Sequence, residues 1–153
     1  MRLDHVGAQT KNGKHEMTNH TGNELKLMLQ KTKPLSMFYD DADAEDDCII
    51  PSQEFDRYVE RGMFLKAEQV FELAYDPRAS RHQRVRYVLY CLKGEEWRIN
   101  AMWLALKARM AVKGYDEGID RIIGSLLGYT DDEINRYIAM RPCLAEPKAI
   151  SPA

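Results

Sequence analysis

Long apolar runs are missing from this chain, and so is an excess of either charge. No hydrophobic stretch approaches the ~20 residues that a helix needs to cross a bilayer, which excludes a helical membrane anchor read from sequence. Lys and Arg number 22 against 24 Asp and Glu, a net charge of −2. That balance argues against a protein that coats a polyanion, which would be basic overall. Cysteine is scarce: Cys48, Cys91 and Cys143 are far apart and in no CxxC pairing. An odd, scattered set points to reduced thiols rather than a disulfide framework. The first residues, Met1 to Thr21, lack the apolar core of a secretory signal. Together these absences lead us to expect a soluble cytoplasmic protein.

Catalytic signatures are also thin. There is no phosphate-cradling glycine loop, nucleophile elbow or zinc quartet. Three of the four histidines, His5, His15 and His20, fall in the polar opening segment, leaving only His82. Cys91 sits in an apolar run and reads as a core residue rather than an activated thiol. The spacing of Asp43, Glu45, Asp47 and Glu54 touches a calcium-loop pattern. Cys48 stands where the sharp turn demands glycine, however, and Pro51 occupies another ligand position. No metal, no cofactor and no enzymatic activity are expected.

What is present fits one domain. A chain of 153 residues with 44% hydrophobic content can bury a core of ordinary size. Residues 1–21 show neither helical nor strand period and read as a disordered arm. Residues 22–141 form the globular domain, and 142–153, with three prolines, a frayed tail. Within the domain, Asn23 opens a short helix that Pro34 is expected to close. Leu35 to Tyr39 reads as a strand. Residues 53–61 form a helix with Phe55, Tyr58 and Val59 inward and Gly62 as its stop. The stretch 63–75 is ambiguous, since its apolar positions satisfy both a helical face and a strand alternation. Val85 to Leu92 is rich in β-branched and aromatic residues and reads as a strand. A strand needs a partner, so a hairpin of 65–74 with 85–92 is preferred.

Three consecutive helices follow, at about 95–113, 116–127 and 131–140. The first is apolar around most of its circumference and is expected to be central. Gly114 and Gly128 act as stops, Asp116 as a cap, and Thr130 with Glu133 as a capping box. The fold class is therefore α+β, with a small antiparallel sheet from 35–39, 65–74 and 85–92 packed against helices.

Two charged clusters and one helical pattern are the candidate sites. Asp40, Asp41, Asp43, Glu45, Asp46 and Asp47 place six carboxylates in eight residues. Such a surface imitates the charge spacing of a nucleic-acid backbone and would attract a basic channel. Arg81, Arg84 and Arg86 form a basic run, with Arg84 and Arg86 on one face if the segment is a strand. That run could meet phosphate, a partner's carboxylates, or the acidic loop of the same molecule.

The helical pattern spans 116–139. Gly124, Gly128, Thr130 and Ile134 follow the order of small residue, turn glycine, cap and branched aliphatic that a helix-turn-helix requires. The segment resembles helix-turn-helix domains, which implies that Thr130, Asn135 and Arg136 face a DNA groove. Asp131 and Asp132 depart from that pattern in charge. The sequence-based expectation is a small non-enzymatic protein that binds another protein through its acidic and basic clusters. One form of it is an inhibitor of a host nuclease or defence complex carried by a phage or mobile element. The alternative is a DNA-binding regulator.

Overall fold

The computed structural model describes residues 20–44, 50–76 and 81–141, with backbone alone at 74–76 and 81–82. It is an α+β fold in which a three-stranded antiparallel sheet lies between two helical layers. The strands are β1 (Leu35–Asp41), β2 (Phe64–Asp76) and β3 (Arg81–Leu92). Their order is β1-β3-β2, with β3 central. The helices are α1 (Glu24–Leu29), α2 (Ser52–Glu60), α3 (Trp97–Ala111), α4 (Glu117–Leu126) and α5 (Asp131–Met140).

Central position explains the composition of β3. Side chains alternate across a strand, and here both faces are covered. Val88 and Tyr90 enter a core with Met28 of α1 and Phe55 of α2. Leu89 and Cys91 enter the opposite core with Met102, Ala105 and Leu106 of α3 and Leu126 of α4. A strand buried on both sides reads as a continuous apolar run rather than an alternating one. The ambiguous segment 63–75 is strand, because β3 needs a second edge and Phe64 and Phe71 fill opposite cores. The buried Tyr90 hydroxyl donates to Asp56 Oδ1 at 2.8 Å, so this core leaves no orphaned phenol.

Three expectations need correction. The first helix does not run to Pro34. It ends at Leu29, where Lys31 takes φ +59° and the Thr32 amide returns to the Leu27 carbonyl. The opening segment also gives up its last two residues to the body of the domain. His20 is only 7% exposed and its ring stacks on Tyr129; residues 1–19 lie outside the described residues. Finally, α3 is not central. Its inner face is buried, but Leu104 is 69% and Trp97 58% exposed. It forms an outer layer whose far side is uncovered.

The glycines and caps behave as their chemistry requires. Asp116 accepts the Ile119 amide at 2.9 Å. Thr130 and Glu133 make the reciprocal capping box. Gly128 stands at φ +86°, and a Cβ there would meet the ring of Pro34. This fixes the α4–α5 turn against the start of β1. No helix among the described residues is long and apolar enough to cross a membrane.

Candidate functional site

The two charged clusters turn out to face each other. Asp40 on β1 is the direct cross-strand partner of Arg86 on β3. Arg86 donates from Nε to Asp40 Oδ1 at 3.0 Å and from Nη2 to Oδ2 at 2.6 Å. Only 3% of the Asp40 side chain is exposed. Arg84, two residues back on the same face, donates to Asp43 Oδ1 at 2.8 Å. Asp41 accepts the Asp43 amide through Oδ1, tightening the turn. Of the contacts open to the basic run, the one within the molecule is made: β3 clasps β1 and the turn after it, since strand alternation and register put opposite charges side by side. Glu45, Asp46 and Asp47 lie outside the described residues, as does the side chain of Arg81.

The helix-turn-helix pattern is present as packing. A Cβ on Gly124 would lie 2.9 Å from Ile134 Cγ1, so the small residue is what lets α5 cross α4 closely. Its polar residues are engaged within the molecule. The Thr130 hydroxyl serves the cap, and Asn135 Oδ1 accepts from Arg121 Nη1 at 2.7 Å. Arg136 is half-buried and has a partner of its own. The first turn of α5 presents Asp131, Asp132 and Glu133, which suit the positive end of a helix dipole but repel phosphate.

Sequence reasoning missed the buried polar cluster around Lys33. Lys33, in the link from α1 to β1, is 2% exposed. Its Nζ donates to the Leu127 carbonyl at 3.0 Å, at the C-terminal end of α4, and to His20 Nδ1 at 3.1 Å. An ammonium can only donate, so Nδ1 accepts and the neutral ring carries its proton on Nε2. The His20 ring lies 3.9 Å from that of Tyr129, nearly parallel to it. Burial lowers the Lys33 pKa to about 8. Burial, then the Lys33 charge, lowers that of His20. No local pattern marks Lys33 as different from a surface lysine; it is buried because Gly128 packs on its neighbour Pro34.

Beside this cluster lies a half-open cavity of about 620 Å³. Met37 of β1, Ile123 and Leu127 at α4, and Ile134 of α5 give it an apolar floor. His20, Tyr129, Glu133 and Tyr137 supply polar groups around it. Asp120 also lines it, held by Arg141, whose guanidinium lies 4.4 Å from the Tyr115 ring centroid. Volume and lining are those of a site that takes a small molecule or a partner's side chain.

A nucleophile is harder to find. The Cys91 thiol is buried, donates to the Glu95 carbonyl at 3.0 Å, and is pushed up to about 11 by that burial. Among the described residues, no group of three His, Cys, Asp or Glu side chains is placed to hold a metal ion. No family model, curated protein or solved structure matches the chain.

Proposed function

We propose that this protein is non-enzymatic and acts by binding another protein, with the cavity between α4, α5 and β1 receiving an apolar side chain of that partner. The observation that carries the reading is the cavity itself. It combines an apolar floor with carboxylates nearby. Asp131 and Asp132, exposed in the same turn as Glu133, favour a partner segment with basic residues next to the inserted side chain. In its narrower form the partner is a nuclease or defence complex, and the protein an inhibitor carried by a phage or mobile element. Asp40 and Asp43 are taken up internally, so that form rests on Asp131 and Asp132 together with Glu45, Asp46 and Asp47.

The test is a peptide array in which apolar residues are flanked by Lys, by Glu or by neither, probed with the full chain. Lys-flanked peptides are expected to bind best. Ile123→Trp, which fills the cavity, should weaken them at least ~10-fold, the effect of losing one buried anchor. Binding untouched by Ile123→Trp, or a preference for Glu-flanked peptides, overturns the reading.

A second reading, a DNA-binding regulator using residues 116–139, draws on the close Gly124–Ile134 crossing. The carboxylates of the α5 first turn weigh against it. Anisotropy of labelled duplex DNA decides between the two. Binding that falls steeply with salt favours the regulator, and no binding at low salt removes it.

A further inference from the structure

The outer face of α3 has a symmetry that the cavity reading does not use. Leu104 is the middle residue of the helix, seven residues after Trp97 and seven before Ala111. A seven-residue step drifts only ~20° around a helix, so these three positions form one line along the outer face, with the Trp97 ring against Arg98 and bordering a groove to α4 and α5. Ala101 and Ala108 flank the line on one side, Asn100 and Lys107 on the other. Trp97 and Leu104 are among the most exposed large apolar residues of the molecule. An exposed apolar line with small residues on one flank is a surface against which a second helix can pack.

We propose that this face binds a second copy of the chain, with the two α3 helices antiparallel about a two-fold axis at Leu104. Such an axis sets each residue of the line against one as far on the other side of position 104, and sets each flank of the line beside the same flank of the other copy. Leu104 then meets Leu104 of the other copy, and Trp97 lies over Ala111, the largest side chain against the smallest. Ala101 packs beside Ala108, which permits close approach. Lys107, which makes no ion pair of its own among the described residues, comes alongside Asn100 and the exposed Glu96 of the other copy. The helix dipoles also oppose each other. This match of size and charge is with itself, which is the condition for an isologous dimer. An unrelated helix would need no symmetry about Leu104.

Light scattering behind size exclusion, with the full chain at tens of micromolar, should give twice the chain mass of 17.7 kDa. Leu104→Glu sets two carboxylates together at the axis and should return the mass to one chain. Leu104 is exposed, so circular dichroism should show an intact fold. In a Cys48→Ser, Cys143→Ser background, Leu104→Cys should link into a covalent dimer on mild oxidation. Ala111→Cys should not, since its two copies stand ~21 Å apart along the helices at 1.5 Å per residue. A single-chain mass for the unmodified protein, a dimer that survives Leu104→Glu, or equal linking through Ala111→Cys would each overturn the proposal. None of these outcomes bears on the cavity between α4 and α5.

Discussion

Lys33 and His20 show how two ordinary residues become a coupled pair once buried. The unfolded chain holds the Lys33 proton up to about pH 10.5, whereas the folded protein releases it near 8. Between those values the unfolded state binds more protons, so this group's contribution makes stability rise with pH. His20 follows the same rule lower down. Its folded pKa lies below 6.5, so the unfolded chain protonates first and stability falls as pH drops below 6.5. Protonation at Nδ1 would also set two cations together. Thermal melts of His20→Gln against the parent should therefore converge below pH 6.5, with Lys33→Met showing less gain than the parent from pH 8 to 10. Parallel curves across both windows would contradict the assignment.

The Asp40–Arg86 clasp gives a second prediction at this scale. Arg86→Ala leaves a buried carboxylate unpaired and should cost about 3 kcal/mol. Arg84→Ala breaks an exposed pair and should cost under ~1 kcal/mol. Urea unfolding of the two variants measures the difference. The sequence left the internal pairing as one of three contacts open to the arginines. Which carboxylate meets which arginine depends on strand register, which no local pattern gives.

The caps of α4 and α5 and the β3 strand were legible because their signals are local. Asp116, Thr130 and Glu133 act within one turn of where they stand, and β-branched and aromatic residues mark β3. The identity of β2 and the outward face of α3 were not local matters. A stretch that fits both periods becomes strand only when a neighbouring strand pairs with it. An all-round apolar helix such as α3 hides which side is covered, and here Trp97 and Leu104 are on the open one.

Packing between elements gives a third prediction. Gly124→Val would drive a branched side chain into Ile134, against which even a Cβ lies at 2.9 Å. The expected loss is ~1–3 kcal/mol for overpacking, with part recovered by adding Ile134→Ala. Thr130→Ala, by contrast, removes only a cap and should cost ~1 kcal/mol. Chemical denaturation of the three variants checks the order.

Across the whole molecule, the sheet separates two cores that touch different helices, and the link carrying Lys33 and Pro34 ties them together. That link leaves α1, grips the α4–α5 turn, and enters β1. The cavity stands next to the grip, which explains why it escaped sequence reading. Its walls come from the segment before α1, from β1, and from α4 and α5, and no motif joins those segments. The cavity and the outer face of α3 lie on different parts of the helical layer.

Hydrogen exchange of the full chain, with and without the tightest Lys-flanked apolar peptide, tests the central claim most directly. Slower exchange confined to residues 123–137 and 20–21 is the predicted result. Slowing that falls instead on α1 and α2, with 123–137 unchanged, would contradict it.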